Sequence, residues 1–112
     1  MTARMSGRSK VAGLLAAGFF VLGAGPVLAG GSVESGAAIA QTWCINCHVV
    51  ADDQSVARSE APSFQSLGSD PDRTAEGLKA FLFDPHPPMP DMNLSRDEVD
   101  DVVAYILSFS KN

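Results

Sequence analysis

Five consecutive residues, Cys44-Ile45-Asn46-Cys47-His48, constrain this chain more than any other feature. They hold its only two cysteines, three positions apart, with a histidine directly after the second. Two thiols at that spacing on one helical turn face the same side. Each can add across one vinyl group of a haem to form a thioether, and the next residue then presents its imidazole to the iron. The spacing matters because the vinyl carbons and the iron are fixed relative to one another. C-x-x-C-H therefore reads as the attachment site of a c-type haem, with Cys44 and Cys47 as thioether donors and His48 as an axial ligand.

Other chemistries use parts of the same pattern. Trp43-Cys44-x-x-Cys47 also matches the W-C-x-x-C of thiol oxidoreductases, in which Cys44 would be a low-pKa nucleophile and Cys47 the resolving thiol. That motif comes after a β-strand, whereas the residues before Trp43 form an Ala-rich helical pattern. A zinc site needs two further ligands, for which only His86 and scattered carboxylates are at hand. A structural disulfide between the two cysteines leaves His48 without a role.

The N-terminal segment has a different composition from the rest. Arg4, Arg8 and Lys10 precede an uncharged stretch, residues 11–25, rich in Ala, Leu, Phe and Gly. Pro26 and Val27-Leu28-Ala29 come next. A basic start, an apolar run and small residues at a cleavage site predict a secretory signal peptide over residues 1–29, cut after Ala29. The competing reading is a retained anchor, but the run falls short of the ~20 residues a spanning helix needs. The remaining 83 residues, Gly30 to Asn112, make one small domain. A domain of that size buries only about 60% of its unfolded surface and needs help to be stable. A disulfide closing so small a loop adds little constraint, so a large apolar cofactor is the better source of the missing core. All 13 acidic residues lie after Ala29 and three of the eight basic ones precede it, so this domain carries a net charge of −8 with His neutral. Such a charge argues against nucleic acid and anionic membrane surfaces, and favours solubility and partners with a basic docking patch.

Within residues 30–112 the pattern is helical. Ser32 is a candidate N-cap for a first helix running through Ala37, Ala38, Ile39 and Ala40 to the Cys44 region. Residues 49–68 lose periodicity and read as a long loop marked by Asp52-Asp53, Ser55, Ser59, Pro62, Ser63 and Ser66. After the Asp70-Pro71-Asp72 turn, a helix from Thr74 or Ala75 to Phe83 places Leu78, Phe81 and Leu82 on one face and stops before Pro85. Asp84 to Asp91 holds four prolines in six positions and reads as a stiff, extended segment. Ser95 and Glu98 form a capping box at the start of a last helix, whose buried face carries Val99, Val102, Val103 and Ile106. The prediction is an all-α domain of three or more helices.

These residues together resemble a class I cytochrome c, and nearly all of residues 30–112 fits. The resemblance rests on C-x-x-C-H, on Gly36 and Ala40 one turn apart before it, on Val102 and Tyr105 in the C-terminal helix, on Pro62, and on Met89-Pro90. It implies the cytochrome c fold around one covalent haem, with the Gly36 face crossing the C-terminal helix. It implies that the Pro62 carbonyl accepts a hydrogen bond from Nδ1 of His48, and that Met89 is the second axial ligand, with Met92 and His86 as rivals in the same loop. Ala40 is smaller than the aromatic usual at its position. The family's Trp or Tyr for a haem propionate has no counterpart here, which leaves Arg58 and Arg73 as candidates. Phe64, Leu67, Leu78, Phe81, Leu82, Val99, Val102 and Ile106 are expected in the core or the haem-pocket wall, and Trp43 at the haem or the surface.

The function implied is single-electron transfer in the periplasm between redox partner proteins, without catalysis of its own. A tightly bound haem subunit of a periplasmic dehydrogenase or oxidase complex is the alternative.

Overall fold

The computed structural model describes residues 30–55 and 59–111, together with residue 2, residues 13–20 and residue 23. Among the described residues every regular element is helical and there is no strand. The chain has the all-α architecture expected of it.

Helix α1 (Val33–Ile39) starts at Ser32, whose hydroxyl accepts from the Ser35 N–H at 3.1 Å. Its Ala residues favour helix, and it does not stop at Ile39. The chain widens into a single π-helical turn over Ala40–Cys44, closed by the Ile45 N–H on the Ala40 carbonyl at 3.0 Å. Such a turn inserts a residue into the helical ladder and rotates the chain beyond it. In this protein the rotated stretch is the cysteine–histidine motif. The Cys47 and His48 N–H groups then both bond the Cys44 carbonyl, at 3.1 and 2.9 Å.

One expectation fails. Residues 49–68 are not loop throughout, because Phe64–Ser69 forms helix α2. Its N-cap is Ser63, whose hydroxyl accepts from the Ser66 N–H at 3.0 Å. Phe64 is buried and Leu67 half-buried, so two apolar residues one turn apart hold this short helix to the core.

Helix α3 (Ala75–Phe83) is capped by Thr74, which accepts from the Gly77 N–H at 3.0 Å, and it ends at Asp84, before Pro85. Helix α4 (Arg96–Ser108) has the complete capping box. The Ser95 hydroxyl takes the Glu98 N–H and the Glu98 carboxylate takes the Ser95 N–H at 2.8 Å. A 3₁₀ turn, Phe109–Lys111, continues it.

Helix α4 is the hub against which α1, α2 and α3 all pack. Its Val99, Val102, Val103 and Ile106 form the buried face, together with Ala40, Val50 and Phe64. The crossing with α1 is close because Gly36 has no side chain. A Cβ there would collide with the Asp101 carbonyl oxygen and lie 2.8 Å from Cβ of Tyr105. The Asp101 carboxylate also accepts from the Ser32 N–H at 2.6 Å. Lys79 of α3 pairs with Asp100 of α4 at 2.9 Å.

In the N-terminal segment, Leu14, Leu15, Phe19 and Phe20 are each more than 90% exposed. Among the described residues, no helix is long and apolar enough to cross a membrane. The expected cleavage point after Ala29 lies outside the described residues.

Candidate functional site

Among the described residues, the helical elements leave a large cavity between them, of about 990 Å³. This is at the upper end of the size of ordinary ligand pockets. The motif turn forms part of its wall, with Cys44, Cys47 and His48 all lining it. The proline-rich segment forms another part and contributes His86, Met89 and Met92. Apolar side chains fill in the rest: Phe64 and Leu67 from α2, Leu78 and Leu82 from α3, Val102 and Ile106 from α4. The structure thus brings Cys44, Cys47, His48, Pro62, Met89, Met92 and His86 to the wall of one cavity.

No disulfide joins the two sulfurs. Cys44 is buried, and burial pushes its thiol up to about 11. A buried neutral thiol is the reverse of the electropositive, exposed setting that activates a nucleophilic cysteine. Trp43 beside it is 57% exposed yet also borders the cavity.

His48 is oriented by a neighbour in the cavity wall. Its Nδ1 lies 2.5 Å from the carbonyl oxygen of Pro62. A proton on Nδ1 donates there, which leaves Nε2 as the nitrogen with a free lone pair. Phe64 stands against the ring at 5.6 Å between centroids, tilted by 58°. The backbone after the histidine is tied down as well. The Phe64 N–H donates to the Val49 carbonyl at 2.9 Å, and the Tyr105 hydroxyl donates to the Val50 carbonyl at 2.5 Å. Burial raises the Tyr105 hydroxyl above its ordinary pKa, and the negative charges of Asp52 and Asp53 add to the shift.

The segment carrying the methionines has its own restraints. The Met89 N–H bonds the His86 carbonyl at 3.0 Å, and the His86 ring stacks on Phe81 at 5.5 Å. Asn93 takes a left-handed conformation (φ 54°), which suits Asn better than most residues, and its N–H bonds the Asp91 carboxylate at 2.8 Å. Met89 and Met92 are both half-buried. Of the two arginines, Arg73 borders the cavity and pairs with Asp70 at 3.3 Å, while Arg58 lies outside the described residues.

The residues present fit a haem. The cavity is large and mainly apolar, two thiols open into it at the required spacing, and an oriented imidazole and two thioether sulfurs share it. Among the described residues, no group of three or more His, Cys, Asp or Glu is placed to hold a metal ion. An iron brought within a porphyrin needs only the axial donors. What sequence reasoning missed here is the side chain of Gln54, which bonds the His48 carbonyl at 2.9 Å. A lone glutamine in a polar loop carries no local signal of such a contact.

Fold and site together define a c-type cytochrome. The family model described as cytochrome c oxidase, cbb3-type, subunit III matches residues 31–106. Over 71 residues the chain is 52% identical to cytochrome c-552 of Bradyrhizobium diazoefficiens, covering 63% of this chain and 68% of that protein. No solved structure matches it. The chain belongs to this cytochrome c family, and as a member it is a c-type haem electron carrier with covalently bound haem c and its iron.

Proposed function

We propose that this chain is an exported, periplasmic single-electron carrier, in which Cys44 and Cys47 hold the haem as thioethers and His48 and Met89 ligate its iron. The observation that carries this reading is the shared cavity: the motif turn, with His48 aimed through Nδ1 at the Pro62 carbonyl, and Met89 of the stiff segment line the same space. The haem, when bound, supplies one-electron redox chemistry. The chain's residues orient and tune it. The Pro62 carbonyl fixes the imidazole tautomer and strengthens Nε2 as a donor. The Met89 thioether is a soft donor that favours the reduced metal and raises the potential. An iron held by both His48 and Met89 would offer oxygen and peroxide no open site, so the chain would carry electrons without catalysis of its own.

Residues 1–29 act as the signal peptide in this reading, and the cytochrome domain is residues 30–112. The family match, which starts at residue 31, supports that division. The domain's net charge of −8 supports redox partners with a basic docking surface. A second reading is a haem subunit held in an oxidase or dehydrogenase complex, and the family's description as an oxidase subunit favours it. Thiol oxidoreduction is disfavoured by the helix before Trp43 and by the buried, high-pKa Cys44 thiol.

The axial assignment is tested on the oxidised holoprotein through the long-wavelength sulfur-to-iron absorption band. Met89→Ala is expected to abolish it and Met92→Ala to leave it. A band lost only in Met92→Ala would overturn Met89 as the ligand.

A further inference from the structure

The backbone that carries His48 is held by a side chain that neither the motif nor the haem pocket explains. Nε2 of Gln54 donates to the His48 carbonyl at 2.9 Å, and its Oε1 accepts from the Val50 N–H at 3.0 Å. One side-chain amide thus grips the main chain on both sides of Val49. Tyr105 takes over where Gln54 ends, donating to the Val50 carbonyl at 2.5 Å from helix α4. Val50 itself is fully buried, so this peptide has a single seat in the core. The contacts come from two directions. Gln54 belongs to the loop after the motif, and Tyr105 belongs to the helix that crosses α1 at Gly36.

We infer that Gln54, backed by Tyr105, is a positioning residue for the proximal imidazole, fixing the His48 backbone and through it the reduction potential. This rests on His48 being an axial ligand, as proposed above. The thioethers would tether the chain at Cys44 and Cys47, but the His48 ring still depends on where its own backbone lies. The Nδ1 contact with Pro62 is short, and hydrogen-bond strength falls steeply once distance and angle drift. A weaker Nδ1–H donation makes Nε2 a poorer donor and stabilises the ferric iron less. Loss of the Gln54 grip therefore raises the midpoint potential.

The test uses the holoprotein and Gln54→Met, which keeps the length of the side chain and removes the hydrogen bonds to the His48 carbonyl and from the Val50 N–H. The readouts are the midpoint potential and the paramagnetically shifted ring-proton NMR signals of His48 in the ferric state. The expected result is a higher potential with displaced His48 signals. Ser95→Ala, which weakens the cap of α4 far from this grip, is expected to lower thermal stability with the potential unchanged. If Gln54→Met does not accumulate, Tyr105→Phe keeps the ring contacts with Phe64 and Phe109 and removes only the hydroxyl. It is expected to shift the same readouts in the same direction by less. A variant that loses stability while potential and His48 signals stay at wild-type values overturns the inference alone. Wild-type protein with no shifted His48 ring signals overturns the axial assignment and the inference with it.

Discussion

Gly36→Ala sets two known effects against each other. Within a helix, Ala is favoured over Gly by about 1 kcal/mol, so propensity alone predicts a more stable protein. The structure predicts the opposite. The new methyl group would strike the Asp101 carbonyl oxygen and lie 2.8 Å from Cβ of Tyr105. Both atoms are fixed to the backbone of α4, so neither can swing aside as a side-chain tip would. Overpacking of a close interface costs about 1–3 kcal/mol, and rigid contacts on two sides put this site at the top of that range. Subtracting the propensity gain leaves a net loss of about 2 kcal/mol. In a domain of this size that lowers the melting temperature by roughly 8–16 °C. The assay is thermal unfolding of the holoprotein tracked by far-UV circular dichroism. Ala38→Gly, on the exposed face of the same helix, serves as the companion and should lose about 1 kcal/mol by propensity alone. A Gly36→Ala protein that melts at or above the wild-type temperature would refute the close crossing of α1 and α4.

Charge and capping give two further outcomes. The Ser95 backbone N–H, and then its hydroxyl, hold the Glu98 carboxyl below the usual carboxylate range. A lowered carboxyl pKa contributes stability that is complete above the ordinary glutamate range and lost as pH falls through the lowered value. The gap in melting temperature between wild type and Glu98→Gln should thus be widest near neutral pH and close in acid; a gap constant down to about pH 3 contradicts this. With a net charge of −8 on residues 30–112, small cationic redox reagents should exchange electrons faster than anionic ones of similar driving force at low salt. Stopped-flow rates for the two should converge as screening shortens the Debye length to about 8 Å near physiological salt, and equal rates at low salt would remove the case for a basic partner.

Features written within a few adjacent residues were legible from the sequence. Ser32 and the Ser95–Glu98 box each cap the helix they precede, because capping needs only a side chain and an N–H three residues away. The end of α3 before Pro85 is local in the same sense. Helix α2 was hidden because six residues with two apolar anchors show no sustained period, although Ser63 before Phe64 was an N-cap signal that could have marked it. The π turn at Ala40–Cys44 leaves no sequence trace, since its residues suit an ordinary helix equally well. Contacts between distant segments were the least visible. Tyr105 reaches Val50 across 55 positions, and only the folded crossing of α4 over the motif loop puts the hydroxyl there.

The central claim is that Cys44 and Cys47 hold the haem covalently, and mass spectrometry of the holoprotein tests it most directly. After acid–acetone extraction and proteolysis, the peptide containing residues 44–48 should still carry the full mass of one haem, and Cys44→Ala with Cys47→Ala should yield none. Haem recovered in the acetone phase, with the 44–48 peptide at its bare mass, would contradict the account.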